Sequence, residues 1–134
     1  MSNESEPVPV KLDELTAAAV REDWDFVDST IGGVVDNETF LGWAAQGLED
    51  DDPNLRDLAA SIFEKSSIKP DEQILDTLTH HMLSDDNPYA RYRSAFALFQ
   101  HGDRSEQVMD VIQSAAIDQD VSEIALGYLE QVEK

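Results

Sequence analysis

Three histidines and twenty-nine acidic side chains, with no cysteine, are the groups of this 134-residue chain that could hold a metal or move a proton. The missing thiol excludes disulfides, thiolate nucleophiles and cysteine-type zinc sites. His80 and His81 are neighbours, and on a helix adjacent side chains project roughly 100° apart, so the two cannot clamp one ion. His81 borders the apolar stripe from Ile74 to Leu78 and is expected to pack half-buried, leaving His80 in solvent. His101 is expected to close a helix, where a protonated imidazole favours the dipole. No His-x-x-x-His or His-Glu-x-x-His spacing occurs.

The run Asp50, Asp52, Asn54 imitates the first ligands of a calcium loop. Leu55 then stands where such a loop needs glycine and Ser61 where it needs a bidentate glutamate, with Pro53 and Arg56 inside, so the imitation fails. Carboxylates elsewhere are so dense that any two can lie close by chance, and proximity alone names no general acid and base. The sequence holds no Gly-rich phosphate loop, no nucleophile elbow and no basic patch interleaved with aromatics. No catalytic residue, metal site or cofactor is expected, and the chain reads as non-enzymatic.

The formal net charge is −20. Both halves are acidic, with sixteen carboxylates against four cations over residues 1–67 and thirteen against five over 68–134. Such a surface is unsuited to nucleic acid or anionic lipid, which require clustered Lys and Arg, and it attracts basic proteins instead. Seventeen Asp against twelve Glu, with only four Lys, is also a balance suited to concentrated salt, which makes a halophilic structural or adaptor domain one alternative. Another is an inhibitor or immunity-type protein whose carboxylates imitate nucleic-acid phosphates. No apolar run is long enough for a membrane span, and the N-terminus lacks the basic and apolar regions of a signal peptide, so a cytoplasmic location is expected.

These groups must be positioned by helices. Residues 1–10, acidic and interrupted by Pro7 and Pro9, read as a loose tail, and 11–134 as one domain. Lys11–Glu22 and Asp23–Ile31 form an irregular first pair, stopped by Gly32-Gly33 and suited to cap a stack. Asp36-Asn37 opens a helix carrying Phe40, Leu41, Trp43, Ala44 and Leu48. After the turn Glu49–Pro53, the helix Pro53–Lys65 aligns Leu55, Leu58, Ala59, Ile62 and Phe63. Asp71 begins a helix with Ile74, Leu75, Leu78 and Met82. The turn Ser84–Pro88 leads into Tyr89–Gln100, and His101-Gly102-Asp103 breaks it. Glu106–Ile117 and Val121–Val132 close the chain, the latter with Ile124, Ala125, Tyr128 and Leu129 on its stripe.

The chain repeats itself. Asp52-Pro53-Asn54-Leu55-Arg56 lies over Asn87-Pro88-Tyr89-Ala90-Arg91 with a period of 35 residues, and Val121 follows Ala90 by 31. Leu55, Ala90 and Val121 then share a place, as do the small Ala59, Ser94 and Ala125 and the larger Phe63, Leu98 and Leu129. In the middle helix Tyr89, Tyr92, Phe96 and Phe99 form a second apolar stripe that fits a register shifted by one; the turn sets the register adopted here.

An acidic turn, Pro, an aliphatic residue, Arg and two small residues resemble the second helix of the HEAT repeat, in the short form of the phycocyanobilin lyases. Here the pattern is Asp51-Asp52-Pro53-Asn54-Leu55-Arg56 with Ala59-Ala60, and Asp86-Asn87-Pro88-Tyr89-Ala90-Arg91 with Ser94-Ala95, so the resemblance covers residues 50–101. It implies an all-α, right-handed stack of antiparallel helix pairs, a short α-solenoid of about three regular repeats behind the irregular first pair. It also implies a ladder between neighbouring repeats, with Asp50 or Asp51 reaching Arg91 and Arg56 in the equivalent place; Ser122 replaces Arg in the last repeat. The DNA-alkylation glycosylases of similar fold need a cationic groove that this composition denies. The expected function is a protein-interaction scaffold binding a basic partner, as a monomer or weak homo-oligomer, through Asp51, Asp52, Asp57, Asp85, Asp86, Tyr89 and Arg93.

Overall fold

A computed structural model describes residues 8–33 and 35–133. Among them are eight helices and no strand, and 73% of the described residues are helical. The helices are α1 (Val8–Val20), α2 (Trp24–Ile31), α3 (Glu38–Gly47), α4 (Pro53–Lys65), α5 (Glu72–Ser84), α6 (Pro88–Gln100), α7 (Glu106–Ala115) and α8 (Ser122–Glu133). No helix among the described residues is long and apolar enough to cross a membrane.

Short polar side chains set where most of these helices begin. Asp23, Asn37, Asp52, Asp71, Asn87 and Ser105 each accept a hydrogen bond from a backbone N–H in the first turn of the helix they precede. Caps of this kind each contribute about 1 kcal/mol. Pro53 and Pro88 occupy the first helical position, where the missing N–H costs nothing. The expected tail needs correction at its end, since α1 begins at Val8 and Pro9 falls in its first turn, where proline is tolerated. The rest of that tail, residues 1–7, lies outside the described residues.

Packing gathers into two compact units, one ending at Ile68 and one starting at Lys69. In the first, α1 lies against α2, α3 and α4, and α3 pairs with α4. Leu15, Ala18, Ile31, Phe40, Ala44 and Leu58 are fully buried there. The connector after α4 is tied down by Asp36, which accepts from the Ser66 and Ser67 hydroxyls at 2.8 and 2.7 Å and from the Ser67 N–H at 2.9 Å. The Ser67 hydroxyl first, then the Ser66 hydroxyl and the Ser67 amide, hold this carboxyl below its ordinary pKa.

Gly47 marks the closest approach of α3 to α4. A Cβ placed there would stand 3.0 Å from the Trp43 ring and 3.1 Å from the Ala59 methyl. Gly47→Leu is therefore expected to destabilise by about 1–3 kcal/mol through overpacking, read as a lowered urea midpoint; an unchanged midpoint would show that α3 can retreat from α4.

In the second unit α6 is surrounded by α5, α7 and α8. Residues 94–99 are all buried, so both stripes that compete in the sequence are covered over the second half of α6, while Tyr89 and Tyr92 are half-buried. Phe96 and Phe99 pack on Tyr128 of α8 with ring centroids 5.3 and 5.1 Å apart. At the corresponding places α8 carries Gly127 and Glu130, and Glu123 replaces Tyr92, so its outer face is polar. Ile124, expected on the buried stripe, is 39% exposed on α8, which packs against α7 and α6.

Candidate partner-binding surface

The acidic turns repeat in their first carboxylate bond and their arginine, and differ by one residue in the donor to the cap. Asp50 Oδ1 accepts from the Asp52 N–H at 2.8 Å, and 35 residues later Asp85 Oδ1 accepts from the Asn87 N–H at 2.9 Å. The next residue of the pattern caps the helix: Asp52 Oδ1 accepts from the Asn54 N–H at 2.8 Å and Asn87 Oδ1 from the Ala90 N–H at 3.1 Å. Arg56 Nη1 donates to the Asp50 carbonyl at 2.8 Å, and Arg91 Nη1 to the Asp85 carbonyl at 2.7 Å. Asp118 repeats the first bond at the α7–α8 turn, accepting from the Asp120 N–H at 3.0 Å, where Ser122 stands in place of the arginine. One carboxylate oxygen thus stiffens each turn, and in the two complete turns the guanidinium satisfies a carbonyl of the turn itself. In both complete turns the arginine closes on its own turn.

The residues expected to meet a partner divide by exposure. Asp51 and Asp86 are exposed at the tips of their turns, and Asp52 is half-buried as the cap of α4. Asp57 and Asp85 are only 8% and 7% exposed, which removes them from any contact surface. Asp57 Oδ1 accepts from the Ser61 hydroxyl at 3.4 Å within the buried stretch of α4. Asp85 Oδ2 lies 3.3 Å from His81 Nδ1, on side chains 1% and 13% exposed. His81 is thus half-buried as expected, with a carboxylate for its partner, while His80 is exposed. Half-buried Arg93 rests over the Phe96 ring at 5.7 Å. Among the described residues, no three of His, Cys, Asp and Glu are grouped so as to hold a metal ion.

Tyr89 joins two turns. Its hydroxyl donates to Asp120 Oδ2 at 2.6 Å, and its ring meets Tyr92 edge-on at 6.2 Å. The bond to Asp120, with burial and the charge of Asp118, pushes its pKa up to about 12. Raising a phenol's pKa in the folded state favours the neutral form, so the bond's stabilisation is present below the unfolded value near 10 and is lost as pH rises through 12. An absorbance titration of tyrosinate should show one late step that Tyr89→Phe removes; all three tyrosines ionising together near 10 would contradict the bond.

One surface feature escaped the reading of motifs. A solvent-open groove of about 390 Å³ runs along the end of α3, lined by Trp43, Gln46, Gly47, Glu49, Asp50 and Asp51. Its signal lay in the repeat: 35 residues on, the positions of Trp43, Gln46 and Gly47 are Leu78, His81 and Met82. Arg104 was likewise missed, although its guanidinium covers the Phe99 ring at 3.5 Å and donates to the Phe99 carbonyl at 2.6 Å, closing α6. Compared with protein-family models, with curated proteins and with solved structures, the chain matches none.

Proposed function

We propose that this chain is a non-enzymatic interaction module that binds a basic protein or peptide through the exposed faces of its acidic turns. The observation that carries this reading is the repetition of one stiffened turn, with Asp51 and Asp86 held outward in equivalent places on a chain of net charge −20. Equivalent exposed carboxylates on stiffened turns attract a cationic chain at long range. The same repetition supports a HEAT-like, right-handed stack of helix pairs.

Calorimetric titration with a lysine-rich peptide tests this. Binding is expected at low salt, with an affinity that falls as screening shortens the Debye length from about 10 Å at 0.1 M to about 3 Å at 1 M. A glutamate-rich peptide of equal length should not bind. Failure of the lysine-rich peptide to bind at low salt rejects the reading. The balance of seventeen Asp to four Lys supports a second reading, a domain adapted to concentrated salt. That reading expects helical signal to grow with molar KCl; a signal already maximal in dilute buffer counts against it.

A further inference from the structure

We infer that the outer face of α8 receives an amphipathic, basic helix of a partner protein, a contact that goes beyond the acidic turns and shares with them only the sign of the partner's charge. α6 shows how this fold takes up a helix: Phe96 and Phe99 project from one face of it and pack on Tyr128 of α8. The same face of α8, thirty-one residues on, carries Glu123 and Gly127, both exposed. A terminal helix that meets only water is polar across the whole of this face. Here the centre is polar and the edges are not, because at roughly 100° per residue Ile124 and Leu126 stand roughly 80° to either side of it. They are 39% and 53% exposed. Among the described residues, four of the seven large hydrophobic side chains that stand exposed are Ile117, Ile124, Leu126 and Val132, so apolar surface concentrates in α8 and the turn before it.

Gly127 has no packing reason within the chain, since a Cβ there would meet nothing within 4 Å. Glycine weakens the middle of a helix, but a bare position between two aliphatic ones lets another helix lie close, as Gly47 does for α3 and α4. Charge then decides which helix. Residues 105–133 carry seven carboxylates and no Lys, Arg or His. A second copy of this chain would set those carboxylates against their own kind, and nucleic acid or an anionic membrane would be repelled in the same way. A helix with an aliphatic stripe flanked by Lys and Arg answers both features, the stripe covering Ile124 and Leu126 and the cations meeting Glu123.

The test uses the full chain and two labelled peptides of equal charge, read by fluorescence anisotropy at about 0.15 M salt. One is a helical peptide of Leu and Lys with its leucines on one stripe, and the other is rich in lysine and has no leucine. The striped peptide is expected to bind about tenfold more tightly. Ile124→Gln combined with Leu126→Gln should remove that advantage and leave the lysine-rich peptide unaffected. Gly127→Gln should weaken the striped peptide about fivefold or more, and this loss cannot come from unfolding, because the substitution favours the helix. If the striped peptide binds no more tightly than the other, or binds these variants as it binds the parent, α8 is not the contact, whatever the acidic turns do. If it binds as expected and the lysine-rich peptide fails even at low salt, the acidic turns lose their proposed role and α8 keeps its own.

Discussion

Asp85→Ala is expected to lower stability by about 3 kcal/mol, whereas the same change at Asp50 should cost about 1 kcal/mol, though both residues hold the same turn. Each carboxylate accepts the N–H two residues on. Asp50 is half-exposed, and water can take its place as acceptor. Asp85 is buried, and its removal takes the acceptor from the Asn87 N–H and the carboxylate from the mostly buried His81 Nδ1 at once. Leaving buried polar groups unsatisfied is what makes the second loss larger. Asp85→Asn should fall between the two, since one carbonyl oxygen remains. Urea unfolding of the three variants decides; equal small losses would mean that the second turn is not closed as described.

The other large effect is expected at Phe96. Its ring is fully buried and lies against Tyr128, so Phe96→Ala opens a cavity between α6 and α8 and should cost about 3–5 kcal/mol. Ile124→Ala on the neighbouring helix should change stability by less than about 0.5 kcal/mol, because that side chain is already 39% exposed. The contrast is informative because helical spacing alone places Ile124 on the stripe that faces the core. A small effect at Phe96 would show that α8 does not depend on α6 for its place.

Helix positions were legible because the punctuation was local. Pro53 and Pro88 at first positions, capping Asp and Asn residues and the Gly102 break need no tertiary information, and Gly102 adopts a φ of +101° that glycine tolerates. Burial was less legible, because residues 57–64 of α4 and 94–99 of α6 are buried on every side, so that Asp57, Ser61 and Glu64, a polar stripe in sequence, are covered. Asp57 and Asp85 look in sequence like any other acidic residue of a solvated surface, yet both are buried. What distinguishes Asp85 is His81 four residues earlier, one turn of helix away, a spacing that also brings Asp57 to Ser61. For Arg56 and Arg91 the difficulty is chemical. A guanidinium satisfies a carbonyl as readily as a carboxylate, and nothing in residue types tells which acceptor six residues back it will find.

The role of Gly47 was hidden for a related reason. A glycine in a helix reads as a weak point, and only packing shows why it stands there: a Cβ would come within 3.0 Å of the Trp43 ring and 3.1 Å of the Ala59 methyl.

Stopped-flow association of a lysine-rich peptide with the parent chain and with an Asp51→Lys, Asp86→Lys variant tests the acidic turns most directly. Electrostatic steering predicts a rate for the parent that falls steeply with ionic strength and, at low salt, a variant slower by about tenfold. Equal rates at low salt, with the same weak dependence on salt, would contradict docking at these turns.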